Sequence, residues 1–161
     1  MAVIVALTQG GNDIGTDKVD FGNVVPGGES IKDLYIRNTY TNKITDVRLY
    51  FAQLSGTYDG DADASSDWSE LLAWGDAAST DGLFLNQNAG SPAWTQLKTG
   101  SLDNDSNSVA LSTDSGVANA GEIAGGGTEE AHIQEKIVAP ANEDTGGSRQ
   151  WDLVIAYSYT S

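Results

Sequence analysis

The sequence contains no cysteine and only one histidine, His132, among its 161 residues. The lack of thiols excludes a cysteine nucleophile, a cysteine zinc site and a disulfide framework. With His132 alone, a multi-histidine metal site is nearly excluded, and so is a Ser-His-Asp triad elsewhere in the chain. The chain therefore offers few of the side chains from which common catalytic and metal sites are built.

Basic residues are scarce as well. Lys and Arg total 8 against 23 Asp and Glu, which gives a formal net charge of −15 and a pI near 4.1. Such a surface repels a phosphate backbone, so we expect no direct binding of nucleic acid. The excess of carboxylates either serves solubility alone or reflects adaptation to high salt.

Long apolar runs are also missing. The run at residues 2–7 has no basic residue ahead of it and is too short for a signal peptide or a membrane span. Its β-branched composition predicts a first strand. We therefore expect no membrane partner and synthesis in the cytoplasm, with another route of export if the chain ends outside a cell.

The pattern that is present in this sequence is alternation of apolar and polar residues. In residues 47–51, Val47, Leu49 and Phe51 share one face, as in a half-buried strand. Together with strands at 19–25 and 31–38 and a Pro-Gly-Gly turn at 26–28, this predicts an antiparallel meander. One apolar face cannot remain in water, so a second sheet must cover it.

The remainder of the chain supplies further short strands. They are predicted at residues 82–86, 93–97, 109–111, 131–138 and 151–159. The last of these has large apolar side chains on one face, which makes it the best core candidate: Trp151, Leu153, Ile155, Tyr157 and Tyr159. Strands of this length and number predict an all-β fold, an antiparallel β-sandwich.

One short helix is predicted near residues 67–75, where Asp67 is the N-cap and Glu70 closes a capping box. We expect residues 1–161 to form a single domain with long loops rich in Gly, Ser, Asp and Asn. An N-terminal strand or arm is expected at 1–18. The segment 98–127 is either a functional loop excursion or a flexible surface arm.

The first third of the chain resembles a known type of domain. It combines Asp20-Phe21-Gly22 with Pro26-Gly27-Gly28 and a strand ending at Asn38. In this it is similar to the opening of immunoglobulin-like domains of the ASPM-SPD2-Hydin and major-sperm-protein type. The resemblance implies that the sandwich is immunoglobulin-like.

The later part is similar in layout to small β-sandwich virion proteins of tailed bacterial and archaeal viruses. The features that carry this likeness are residues 82–85, Trp94, the strand before Pro140 and the terminal strand Trp-Asp-Leu-Val-Ile-Ala-Tyr. It implies a non-enzymatic head decoration (cement) or tail-associated structural protein, located in the virion and made in the host cytoplasm. The implied partners are the major capsid protein or other virion proteins, with homo-oligomers common. The family offers no catalytic residues.

An acidic run has the spacing of an EF-hand calcium loop, in which oxygen ligands alternate along the chain. The candidate ligands are Asp59, Asp61, Asp63, Asp67 and Glu70. The match is imperfect because Ala64 stands where the loop needs Gly and no helix precedes Asp59. Asp67 and Glu70 also have a rival use in the capping box. The run is therefore either a calcium site, the sole candidate cofactor, or a solvated acidic loop.

A second class of function, a carbohydrate-binding or adhesion module on a tail or cell surface, depends on aromatic side chains. Trp94 is the candidate for stacking on a sugar ring, with calcium holding the acidic loop. His132, next to Glu129 and Glu130, is either one half of an acid–base pair or an ordinary surface residue. Glu135 has no carboxylate partner at a defined separation, so a glycosidase pair cannot be argued.

The calcium hypothesis makes a direct prediction. If the acidic loop binds Ca²⁺ in the folded state alone, calcium stabilises the fold and raises the melting temperature by several degrees over that measured with a chelator. Thermal unfolding in the two conditions measures the difference. Equal melting temperatures would remove the calcium-stabilised version of the adhesion hypothesis.

Overall fold

A computed structural model describes residues 5–9, 12–13, 19–57, 82–88, 94–96, 108–139 and 148–160. These residues form two antiparallel sheets that pack face to face, with one short 3-10 helix at Thr113–Ser115. The predicted all-β sandwich is thereby confirmed. The expected helix near 67–75 lies outside the described residues, and the immunoglobulin-like type stays a prediction.

The described strands are β1 Val5–Gln9, β2 Asn12–Asp13, β3 Glu29–Asn38, β4 Ile44–Thr57, β5 Gly82–Asn86, β6 Trp94–Gln96, β7 Val109–Ala110, β8 Glu130–Val138 and β9 Ser148–Tyr159. One sheet has six strands in the order β2-β1-β3-β8-β5-β6, and the other has three in the order β7-β4-β9. The longest uninterrupted ladder joins β3 to β8 over nine consecutive residue pairs.

The predicted meander is wrong in one respect, because β3 and β4 belong to different sheets. The buried side chain of Asn38 explains the crossing. Its Nδ2 donates to the carbonyl oxygens of Asn42 and Ile123, at 2.8 and 3.2 Å, and its Oδ1 accepts from the Tyr40 amide at 2.9 Å. These bonds hold the connection in a shape that carries the chain from one sheet to the other.

The first strand of that meander is also wrong, since residues 19–25 form no strand. Phe21 instead packs against Trp151 of β9, with ring centroids 5.2 Å apart. The turn that follows is as expected: the Gly28 amide donates to the Val25 carbonyl at 2.8 Å, and Gly27 has a φ of 72°. A positive φ at this position is what a type II turn requires of glycine.

The core lies between the sheets and is built from the inward residues of β3, β4, β5 and β8 and of the segment 111–123. Its fully buried large side chains are Leu34, Ile36, Ile44, Val47, Leu49, Phe51, Leu83, Leu85, Leu111, Ile123 and Ile133. Strand β9 is less buried than its pattern predicts. It lies at the side of the three-stranded sheet, where its inward residues Trp151, Leu153, Ile155 and Tyr157 are partly buried and Tyr159 is 55% exposed.

The described part of the segment 98–127 is residues 108–127, which pack on the rest of the domain. Leu111, Val117 and Ile123 are buried in the core. The Gly-rich run that follows them packs against the β3–β4 connection, where the amides of Gly126 and Gly127 donate to the carbonyls of Tyr40 and Asn38. A Cβ at Gly125 would lie 2.1 Å from the Thr41 carbonyl oxygen, so this close approach requires glycine.

Candidate functional site

The candidate site lies where β3, β8 and β5 run side by side in the six-stranded sheet. Side chains alternate between the two faces of a strand, so each of these strands has an inner set toward the core and an outer set. The ladder places Tyr35 opposite His132 and Asp33 opposite Gln134, and it places Asn86 of β5 next to Gln134. These five residues, all on the outer face, are called the polar row.

Hydrogen bonds link the polar row across the three strands. Asn86 Nδ2 donates to Gln134 Oε1 at 3.1 Å, and Gln134 Nε2 donates to Asp33 Oδ1 at 2.9 Å. The same Asp33 oxygen lies 2.8 Å from His132 Nε2. The His132 ring stacks on Tyr35 with centroids 4.3 Å apart. The row is therefore a connected network of polar groups and rings on one face of the sheet, in which Asp33 is exposed and Asn86 is buried.

The network changes the acidity of Asp33. Burial acts to raise the pKa of this carboxyl, but the hydrogen bonds from Gln134 and His132 and the charge of His132 outweigh it, so the pKa lies below its ordinary value. Asp33 is consequently a carboxylate at neutral pH. It holds the two β8 side chains in fixed orientations.

Trp94 extends the outer surface at β6. The Lys136 ammonium lies 4.4 Å from the centroid of the Trp94 ring and 4.8 Å from the centroid of the Phe84 ring. Glu29 Oε2 lies 3.8 Å from Lys136 Nζ. Trp94 is half-buried and pairs with Asn86 of the polar row, so an aromatic ring stands next to amide groups.

The inner face holds a buried carboxyl directly behind this surface. Glu135 of β8 is 3% exposed and lies in phase with the apolar residues Ile133 and Ile137. Burial raises the pKa of its carboxyl from an ordinary 4.5 to about 7, and the hydrogen bond from Trp151 acts in the opposite direction. That bond runs from Trp151 Nε1 to Glu135 Oε1 at 2.7 Å and joins the two sheets.

The partner of Glu135 on the neighbouring strand is Lys32 of β3, which also faces inward. Within the part of the chain that the structure describes, Lys32 Nζ forms no ion pair with this carboxyl. Glu135 therefore remains largely protonated below neutral pH. Because it lies away from solvent, its geometry favours a structural role over acid–base chemistry on a dissolved substrate.

The residues that the sequence singled out have different outcomes. The proposed calcium ligands Asp59, Asp61, Asp63, Asp67 and Glu70 lie outside the described residues. Trp94 lies on the outer surface beside the polar row. His132 bonds to Asp33 instead of its sequence neighbours. Of these neighbours, Glu129 accepts from the amides of Ala118 and Ala124, and Glu130 lies 3.3 Å from Arg37 Nε.

Sequence reasoning missed the polar row and the burial of Glu135. The row joins residues about one hundred positions apart, so only the register of the sheet brings them together. Glu135 did carry a local signal, since it occupies an apolar phase of the alternation in β8. Among the described residues, no group of three or more His, Asp or Glu side chains could hold a metal ion.

Comparison with known proteins gave no relative: no protein-family model matches the chain, and no curated protein matches it. In the described part of the chain, no helix has the length and apolar character needed to cross a membrane.

The buried carboxyl predicts how stability depends on pH. Because the pKa of Glu135 is about 7 in the folded state and 4.5 ordinarily, the folded state binds more protons between these values. The stabilisation that the protonated Glu135 carboxyl contributes is fully present below pH 4.5. It is lost as the pH rises through 7, and the free energy of unfolding falls by about 3 kcal/mol in total. In Glu135→Gln the neutral amide avoids this loss, so the variant unfolds at higher urea concentration than the wild type above pH 7.

Urea unfolding of both proteins across this pH range gives the comparison. Asp114→Asn is the matched control, because it removes the same charge from an exposed position. We expect it to keep the wild-type slope of stability against pH. A slope in Glu135→Gln equal to that of the wild type would contradict the prediction.

Proposed function

We propose that this chain is a non-enzymatic structural protein of a virion, which decorates and stabilises the outside of a viral capsid through protein–protein contacts. Its partners are the major capsid protein or other virion proteins, and it associates with further copies of itself. It is made in the host cytoplasm. The layout shared with small sandwich proteins of tailed viruses supports this proposal, and the surface of the domain supports it further.

The observation that carries the proposal is exposed apolar surface at the start of β3. Val25, at the tip of the turn, is 66% exposed, and Ile31, on the outer face of β3, is 41% exposed. Both residues lie at the start of the same strand, and exposed apolar side chains are the groups that a protein partner would cover on binding. The polar groups nearby support this role, since Ser30 Oγ donates to the Phe21 carbonyl at 2.8 Å and fixes the approach to β3.

The charge of the chain restricts the partner. At a net charge of −15, a second acidic surface would be repelled at long range. A docking surface that is basic or neutral around an apolar centre fits this domain best. Strand β1 and the segment 111–123 are used within the domain, because β1 pairs with β3 and residues 111–123 supply core side chains.

The first test is location. Antibody-gold labelling of particles purified from the producing culture, with copies counted by quantitative mass spectrometry, gives both position and number. Hundreds of copies over the head support decoration, whereas a few at the tail favour a tail-associated role. No label on any particle would overturn the proposal.

The docking surface makes a separate prediction. Val25→Asp combined with Ile31→Asp places carboxylates in the apolar contact, so we expect binding to particles stripped of this protein to weaken by at least about tenfold. Asn23→Asp is the matched control, because it adds a negative charge next to the same turn and removes no apolar side chain. Co-sedimentation with the stripped particles measures both. Equal weakening by the control would assign the effect to charge alone.

A second function, carbohydrate binding by a tail-associated or cell-surface adhesion module, is favoured by one observation. Trp94 lies next to the polar row, where Asn86, Gln134 and Asp33 are held in fixed orientations. Asn86 is buried, so the groups open to a ligand are the half-buried Trp94 ring, the Gln134 amide and the exposed Asp33 carboxylate. They are a suitable lining for a polar ligand with a flat apolar face.

This alternative is tested on an array of oligosaccharides. If the module binds sugar, Trp94→Ala lowers the affinity of the best array ligand by at least about tenfold, as measured by titration calorimetry. Tyr159→Ala removes an exposed aromatic ring from the other sheet and should leave the affinity unchanged. A wild-type chain that binds nothing on the array would remove this candidate.

A further inference from the structure

Strand β9 lies at the edge of the three-stranded sheet that the described residues form. It has 12 residues and is hydrogen-bonded to β4, and no described strand pairs with its other side. A strand in this position has a row of backbone N–H and C=O groups directed away from its own sheet. Such a row is a template on which another extended strand can bind.

The usual devices that block an open strand are missing from residues 151–159 of this one, although Arg149 lies near its start. Residues 151–159 contain no Lys, Arg, Pro or Gly, and the one charged residue among them is Asp152. The β4–β9 ladder does have two irregularities, but both lie on the β4 side. Between Thr45 and Arg48, for example, β4 advances three residues while β9 advances two. The side of β9 that faces away from β4 therefore keeps the regular spacing that pairing needs.

We infer that β9 pairs with β9 of a second copy of this chain, antiparallel and about a twofold axis, so that the two three-stranded sheets become one continuous sheet. This inference rests on the proposed self-association and does not depend on a role in a virion. A twofold axis makes the contact closed, because each strand uses the same surface on its partner.

The faces of β9 restrict the register of this pair. Trp151, Leu153, Ile155 and Tyr157 pack toward the core, so the odd-numbered residues face inward. Directly opposed residues point to the same face, so an inward residue must oppose an inward residue. The twofold axis must therefore pass between one residue and the same residue of the other copy. With the axis at Ile155, the opposed side chains are compatible in size and charge: Trp151 with Tyr159, Leu153 with Tyr157, Val154 with Ala156, and Asp152 with Ser158.

The distribution of charge along β9 allows β9 of a second copy to pair with this strand. The register separates the two Asp152 carboxylates and places each one opposite a hydroxyl group, so no like charges are opposed. Elsewhere the copies repel each other, since each has a net charge of −15. We therefore expect the dimer to be favoured by salt, which screens the repulsion and leaves the backbone hydrogen bonds and apolar contacts in place.

The absence of natural cysteine permits a direct test. In Ile155→Cys, the introduced thiol lies opposite its own copy, within the range that a disulfide bridges. Asp152→Cys is the matched control on the same strand. Its thiol would lie six residues from its own copy along the ladder, about 20 Å, which is too far for a disulfide. Mild oxidation at high salt followed by non-reducing electrophoresis measures covalent dimer.

The expected result is dimer from Ile155→Cys at least tenfold in excess of dimer from Asp152→Cys, although position 152 is the more exposed. If Ile155→Cys does not fold, Val154→Cys combined with Ala156→Cys tests the same register on the outer face, where each thiol opposes the other position.

Sedimentation equilibrium of the wild type should give twice the chain mass of 16.9 kDa at high salt. A wild type that stays monomeric, or equal cross-linking at both positions, would overturn the inference. Because purified chain alone is used, failure here counts against the proposed self-association and leaves the proposed capsid contact untouched.

Discussion

The register between β3 and β8 is the constraint on which the rest of the structure depends. Along this ladder Leu34 and Ile133 lie between the sheets, while Asp33 and Gln134 lie outside them. A slip of one residue in β3 would bury the Asp33 carboxyl and expose Leu34, at a cost that is a large fraction of the net stability of an ordinary domain. The core and the polar row are therefore two consequences of one pairing.

Glu135 is the exception that this register imposes on the core. It occupies an inward position, and its burial is tolerated because the carboxyl keeps its proton near neutral pH and accepts a hydrogen bond from Trp151. The same bond connects β8 to β9, where Phe21 also packs on Trp151. At the other end of β9, Tyr159 meets Tyr40 edge to face. Two aromatic contacts and one polar contact thus add to the β4 ladder that holds β9 in position.

The alternation of side chains in the sequence predicted where strands lie, and residues 82–86 match β5 in full. Alternation is a property of neighbouring residues, so it can be recognised without knowledge of the fold. Sheet membership is not local. The crossing from β3 to β4 depends on the bond from Asn38 to Ile123, a residue 85 positions away. The polar row depends likewise on distant strands, which is why His132 was assigned to its sequence neighbours instead of Asp33. The prediction of a calcium loop from Asp59 to Glu70 concerns residues that the structure does not describe.

The surfaces that could bind partners lie on different sheets. Val25 and Ile31 belong to the turn before β3 and to the outer face of the six-stranded sheet, whereas the open side of β9 belongs to the three-stranded sheet. A copy paired through β9 therefore does not use the residues assigned to the capsid contact. The proposed contact between copies must overcome repulsion between two acidic surfaces, so it relies on the uncharged groups of β9. The proposed capsid contact instead calls for a partner surface that is basic or neutral.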